Sequence, residues 1–194
     1  MTKNGSALIV NFFGGPGGGK TTAGARLFTE LKIRGIDTEM DMELARQMIL
    51  MEHTSALECQ PYLFGVALYK LRQTARNTDV VIMDSPLLLN PIYDRNASQA
   101  LRALAIEEHN RFRNLNIFVE RRANAPHSMA GRVHDLRESI LLDQRIRDLL
   151  DELGESYVTI EADAAGVERI AQIAAADVAR HREQTLLFDV GPQA

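Results

Sequence analysis

The stretch Gly14-Gly15-Pro16-Gly17-Gly18-Gly19-Lys20-Thr21-Thr22 constrains this chain more than any other. It reads G-x-x-x-x-G-K-[ST], the spacing of a phosphate-binding P-loop. Ala7 to Phe13, an apolar run long enough for one buried strand, precedes it, and Ala23 to Lys32 follows with helical spacing. Strand, loop and helix in that order are the context the motif requires. Glycines let backbone N–H groups turn inward around an anion, and the helix N-terminus adds its partial positive charge. Gly14 through Thr22 are therefore the expected cradle for ATP. Lys20 is expected to reach the β- and γ-phosphates, and Thr21 to ligate Mg²⁺. The bland alternative is a glycine-rich turn that binds nothing. Five glycines, a lysine and two threonines in register weigh against it.

A second signal is Asp79-Val80-Val81-Ile82-Met83-Asp84, a β-branched apolar run ending in an acid and cut off by Ser85-Pro86. This is the Walker-B pattern, whose acid holds a metal-bound water or accepts a proton from an attacking hydroxyl. An acid that merely caps the next turn is the alternative.

Between and beyond these signals, strands alternate with helices. Lys20 to Arg34 reads as a helix with Ala23, Leu27, Leu31 and Ile33 inward, and Ile36 to Met40 as a strand. Asp41-Met42-Glu43 follows, then a helical stretch from Leu44 to Met51 and another from Pro61 to Arg76. Leu87 to Asn96 reads as a loop, Gln99 to Arg111 as a helix and Leu115 to Val119 as a buried strand. Leu136 to Leu153 is amphipathic, with Ile140, Leu141, Ile146, Leu149, Leu150 and Leu153 apolar and Arg145, Arg147, Asp148, Asp151 and Glu152 on a solvated face. Tyr157 to Ile160 is a last strand, and Gly166 to His181 a last helix. The apolar Thr185 to Phe188 is expected to pack back on the body. This alternation predicts an α/β three-layer sandwich around a parallel sheet of about five strands.

In such a sheet the ligand crevice lies outside the carboxyl ends of the strands, which places Asp41, Glu43 and Arg46 near the phosphate loop. Gln60, Phe64, Ser85 and Tyr69 are candidates to border an acceptor pocket; Phe64 and Tyr69 also suit core or groove packing. Arg121, Arg122, Arg132 and Arg137 flank an irregular loop that suits a mobile lid over the transferring phosphate. His127 and His134 have no neighbouring ligands that suggest a metal site.

Composition narrows the class. With 194 residues, 45% apolar and 25% charged, the chain fits one soluble domain, 1–194, with a lid about 121–137 and a tail at 182–194. One cysteine, Cys59, gives no internal disulfide and suits a reducing compartment. No leader or long apolar run supports secretion or a membrane partner, so a cytoplasmic location is expected. The net charge of −4 argues against non-specific coating of nucleic acid, though not against a local basic groove.

Asn11 to Thr22, Glu43-Leu44-Ala45-Arg46, Gln60 with Phe64, Asp84-Ser85-Pro86-Leu87, and Gly131-Arg132 followed by Glu138 and Asp143 together resemble one branch of the P-loop kinases. That branch holds small phage-borne ATPase/kinase proteins and is similar to the nicotinamide ribonucleoside kinase domain and, more distantly, to thymidylate kinase. The resemblance covers about Ala7 to Ile170 and implies the strand order 2-3-1-4-5 with a lid after the fourth strand. It implies that Glu43 and Asp84 face the acceptor; some phage members act on 5-hydroxymethyl-deoxyuridine in DNA as a step toward thymidine hypermodification, and for a phage-encoded chain the expected location is the host cytoplasm.

The leading expectation is an ATP- and Mg²⁺-dependent kinase of a nucleoside-like hydroxyl, acting as a monomer or homodimer. Lys20, Asp84, Glu43 and Arg132 are its candidate catalytic residues. Arg122 joins the loop in binding ATP, and Thr21 and Asp84 hold the metal. Glu43, Arg46, Gln60, Phe64 and Ser85 bind the acceptor, with Asp84 and Glu43 both open as the base. The acceptor is the base hydroxymethyl in DNA, or else a free nucleoside or nucleoside monophosphate. Were it DNA, Arg95, Arg102, Arg121, Arg122 and Arg132 are the candidate phosphate contacts. A regulatory NTPase that drives a partner is the other enzymatic class, and a binding module that has lost catalysis is a third.

Overall fold

The computed structural model describes residues 7–41, 48, 51, 57–121 and 135–189, the last four as backbone. Strand β1 (Leu8–Phe13) is buried along its whole length, as a central strand covered on both faces must be. Its side chains alternate between two cores. Leu8, Val10 and Phe12 point to one; Ile9 and Phe13 point to the other.

The loop after β1 leads into helix α1 (Lys20–Ile33), and then come β2 (Thr38–Asp41) and α2 (Gln60–Thr74). Strand β3 (Val80–Met83) is followed by a 3-10 turn at Leu87–Leu89 and the short helix α3 (Asn90–Tyr93). Then follow α4 (Gln99–His109), β4 (Arg113–Glu120), α5 (Leu136–Glu152), β5 (Tyr157–Glu161) and α6 (Ala164–Asp189). The strands form one parallel sheet in the order β2-β3-β1-β4-β5. This is the expected three-layer arrangement and the expected strand order. β1 lies at its centre, so the loop after it opens at the switch point where such sheets bind ligands.

Helices α1 and α6 cover one face through Ala23, Leu27 and Leu31 on the first and Val167, Ile170, Ala171 and Ala174 on the second. Arg34 ties them together by a bidentate contact to Glu168, at 2.6 and 2.8 Å. Helices α2, α4 and α5 cover the other face through Leu71, Leu101, Ala105, Ile146 and Leu150. Each fully buried aliphatic side chain contributes about 1.5–3 kcal/mol, and both layers are rich in them.

Several expected details differ. Ile33 is 76% exposed, because the two-residue step from Leu31 turns it about 200° around the helix, away from the buried stripe. On α5 the inward set is Ser139, Leu142, Ile146, Leu149 and Leu150, while Ile140 and Leu141 face outward. Arg147 is not simply solvated: its guanidinium lies 3.7 Å from the centroid of the Phe118 ring, a cation–π contact that the Phe118–Tyr157 pair extends. The stretch 87–96 is a turn and a helix rather than an irregular loop. Leu87, Leu88 and Leu89 are buried anchors, and Pro91 falls in the first helical turn, where its missing N–H is harmless. Helix α6 continues to Asp189, so the residues expected as a packed-back tail extend that helix; the side chains of 186–189 lie outside the described residues. The helix expected over Leu44 to Met51 also lies almost wholly outside them. No helix among the described residues is long and apolar enough to cross a membrane.

Strand β4 begins two residues earlier than its apolar run because its polar residues are satisfied inside. Asn11 donates through Nδ2 to Asn114 Oδ1 and Asn116 Oδ1, each at 3.0 Å. Asn116 donates in turn to Glu155 Oε2 at 2.8 Å. Buried His109 ends this polar seam, its Nε2 lying 3.3 Å from Glu155 Oε2 but out of hydrogen-bond alignment. Burial holds the imidazole pKa below its ordinary 6.5, with Glu155 opposing less strongly. The unfolded chain therefore takes up the proton first as pH falls. Stability is fully present above about pH 6.5 and is lost on acidification until the folded-state pKa is reached. We expect His109→Gln to flatten that part of the Tm–pH profile; an unchanged slope between pH 5 and 7 would show that other groups set it.

Candidate active site

The P-loop spans the gap between β1 and α1. Gly19, the residue capping α1, has φ +101°, and a Cβ there would come within 2.7 Å of Ala162 Cβ, so both conformation and space demand glycine. No side chain caps α1 and no acid lies in its first turn. The N–H groups of Lys20, Thr21 and Thr22 thus have no intrahelical acceptor and sit at the positive end of the helix, ready for an anion.

Lys20 is 9% exposed and folds back across the loop. Its Nζ donates to the carbonyls of Gly14 at 2.7 Å and Gly15 at 3.3 Å. Gly18 N–H donates to Gly15 O at 3.2 Å, closing the turn. Those contacts bring Gly14, Gly15, Pro16, Gly17, Gly18 and Gly19 into one ring with the ammonium group at its mouth.

Asp84 ends β3 beside this ring. Thr21 Oγ1 donates to Asp84 Oδ2 at 2.7 Å, so the two expected metal residues are brought together. Asp84 is 1% exposed, and its Oδ1 has no hydrogen-bond partner among the described residues. A buried carboxylate oxygen without a partner is costly. A hard oxygen aimed beside a phosphate cradle fits Mg²⁺, which keeps much of its water and uses few protein ligands plus substrate phosphates.

Asp41 closes β2 in register with Met83, and its carbonyl accepts from Asp84 N–H at 3.2 Å. Burial pushes its carboxyl pKa above the usual range; Lys70 of α2, with Nζ 3.5 Å from Oδ1, opposes. It is the acid at the end of β2, within the described residues. Glu43 and Arg46 lie outside the described residues, as do Arg122, Arg132, His127 and His134.

The acceptor candidates divide. Ser85 is half-buried directly after Asp84. Gln60 opens α2 but spends its amide on Leu57 O at 3.2 Å. Phe64 is 2% exposed and packs in the core with Phe13, Leu71 and Val81, so its ring is a core element rather than an open stacking platform. Tyr69 is 66% exposed on the outer side of α2. Of the arginines expected to meet DNA phosphates, Arg102 is paired with Glu152 and Arg121 with Asp143.

Sequence reasoning missed the roles of Asp143 and Arg121. Asp143 Oδ1 accepts from Gly15 N–H at 2.5 Å, and Arg121 donates to Pro16 O at 2.9 Å and to Asp143 Oδ2 at 3.1 Å. The available signal was the polar pair Ser139 and Asp143, four residues apart beside the apolar stripe of an amphipathic helix.

A P-loop at the carboxyl ends of parallel strands in this order, with a Walker-B acid on the neighbouring strand, is the P-loop kinase fold. The chain belongs to the AAA domain family, whose model matches residues 9–169. Among solved structures it is similar to the deoxyadenosine kinase of M. mycoides with dCMP and a flexible dCDP bound. That match has 19% identity and a TM-score of 0.56, covering 87% of this chain and 99% of that one. The dATP-bound form of the same enzyme gives 19% identity and a TM-score of 0.53, covering 84% and 97%. Comparison with curated proteins finds no match.

Proposed function

We propose that this protein is an ATP-dependent kinase that transfers the γ-phosphoryl group to a hydroxyl of a nucleoside-type acceptor. The observation that carries it is the convergence of Lys20, Thr21 and Asp84 on one phosphate cradle, with Asp84 Oδ1 unpartnered among the described residues. Thr21 and Asp84 are the residues that would hold Mg²⁺, which when bound supplies neutralising charge to the phosphates. Lys20 and the first-turn amides of α1 hold the β- and γ-phosphates. An acid at the strand ends orients the acceptor hydroxyl and takes its proton: Asp84, Asp41 or Glu43. Arg122 and Arg132 are proposed to meet the transferring group, where a planar fork matches three phosphoryl oxygens.

The fold-level likeness to a deoxyadenosine kinase supports a deoxynucleoside or nucleotide acceptor. The finer reading, 5-hydroxymethyl-deoxyuridine in DNA, is supported by the motif resemblance from Asn11 to Asp143. Its enzyme would have to bind single strands or flip the base out. The AAA domain membership favours a third outcome, hydrolysis without an acceptor.

Transfer of labelled γ-phosphate from ATP to a panel separates these readings. The panel holds free deoxynucleosides, their monophosphates, and DNA with and without 5-hydroxymethyluracil. Label on a nucleoside or nucleotide supports the proposal in its broad form, and label on the modified DNA alone supports the finer one. Release of inorganic phosphate with no labelled acceptor, whatever is added, overturns the kinase reading.

A further inference from the structure

We propose that Asp143 and Arg121 are positioning residues that hold the P-loop in the shape that aims Lys20, and so set how strongly the protein binds the β- and γ-phosphates. This rests on the reading of the loop as a nucleoside triphosphate site.

Gly15 is held at both of its backbone polar groups. Its N–H donates to Asp143 Oδ1 at 2.5 Å, and its carbonyl accepts from Lys20 Nζ at 3.3 Å and from Gly18 N–H at 3.2 Å. The next carbonyl, Pro16 O, accepts from Arg121 Nη2 at 2.9 Å. Arg121 Nε closes the circuit on Asp143 Oδ2 at 3.1 Å. A movement of Asp143 therefore moves the carbonyl that Lys20 uses as a rest. The contacts are charge-assisted, and such hydrogen bonds are roughly twice as strong as neutral ones. The ion pair is sheltered, with side chains 13% and 17% exposed, so removing one partner leaves the other poorly solvated.

The approach of α5 leaves the loop no slack. A Cβ on Gly15 would lie 2.5 Å from the Ser139 carbonyl and 2.9 Å from Asp143 Oδ1. Ser139, fully buried one turn before Asp143, is small enough to allow this approach. The loop backbone is thus pressed on α5 at the residue whose carbonyl supports the lysine. Neither Asp143 nor Arg121 needs to touch nucleotide for this effect.

The test is a phosphate ladder. Dissociation constants for ATP, ADP and AMP are measured on wild type, Asp143→Ala, Asp143→Asn, Arg121→Ala and the double alanine variant, each with its Tm. Loss of one charge-assisted contact is expected to weaken ATP and ADP about tenfold while AMP changes less than about twofold. Asp143→Asn should fall between wild type and alanine, since its amide oxygen still accepts from Gly15 N–H but no longer pairs with Arg121. The double variant should be no weaker than the worse single one, because both act through one circuit. Equal weakening of all three nucleotides overturns the proposal, as does additive loss. So does a lowered Tm in Asp143→Asn with the ladder intact. A wild-type protein without any preference for ATP over AMP overturns the nucleotide reading itself; a wild-type ladder that the variants retain overturns only the positioning role.

Discussion

Lys20→Ala is expected to lower phosphoryl transfer by at least about 10²–10³-fold, a loss of about 3–4 kcal/mol of transition-state stabilisation. The side chain is 9% exposed, and its contacts among the described residues are two carbonyls, which are dipoles and leave the ammonium charge uncancelled. In a sheltered site that charge is worth far more than at a solvated surface. The alanine variant also leaves Gly14 O without its lysine donor, at a cost of about 1–3 kcal/mol if water cannot replace it, while Gly15 O keeps Gly18 N–H. A Tm drop of several degrees should therefore accompany the lost activity. Lys20→Met separates the two effects, since it keeps the buried stem and removes only the charge. Both variants should fold with the far-UV dichroism of wild type. A folded Lys20→Met protein with near-normal transfer would sink the kinase reading, because Lys20 is the charged residue of the stretch Gly14 to Thr22.

What could be read from the sequence follows the range of the interactions. The cradle from Gly14 to Thr22 is contiguous, and its geometry is dictated by glycines and a helix start within one short stretch. Asp84 was legible because an apolar strand ending in an acid is a local pattern, and its position beside Thr21 follows once β1 and β3 are neighbours. The strand order came with the resemblance, and the alternation of strands and helices came from periodicity. Contacts between distant residues were not legible. Gly15 and Asp143 are 128 residues apart, and a lone aspartate on a helix reads as solvated. Arg147 reads as part of a charged face, whereas its guanidinium lies over Phe118. Asn11, counted within an apolar run, is buried because two other asparagines accept from it across β4. Phe64 could serve core or pocket on sequence grounds, and packing decided for the core. In each case the deciding fact is which side chain lies across the sheet, which one chain's local periodicity does not encode.

Asp84→Asn is expected to lower turnover by about 10²–10⁴-fold while leaving ATP affinity within a few-fold of wild type. The substitution conserves size at a position that is 1% exposed, so packing is kept. Thr21 Oγ1 can still donate to the amide oxygen in place of Oδ2, which preserves the link to α1. What changes is the other atom. Oδ1 is a buried acceptor with no partner among the described residues, and the amide puts an NH₂ group there, a donor that repels both a cation and the proton of an acceptor hydroxyl. The two roles open for Asp84 then give different residual behaviour. If the carboxylate holds Mg²⁺, raising the Mg²⁺ concentration should recover part of the lost turnover, and the pH profile should keep its shape. If it takes the acceptor proton, Mg²⁺ should not rescue, and the limb of the pH–rate profile that reports the base should vanish. In the second case Asp41 and Glu43 are relieved of that role; in the first, they become the bases to remove next. Equal turnover in Asp84→Asn and wild type would leave Asp84 a partner of Thr21 that fastens β3 to α1, with the chemistry carried elsewhere on the strand ends.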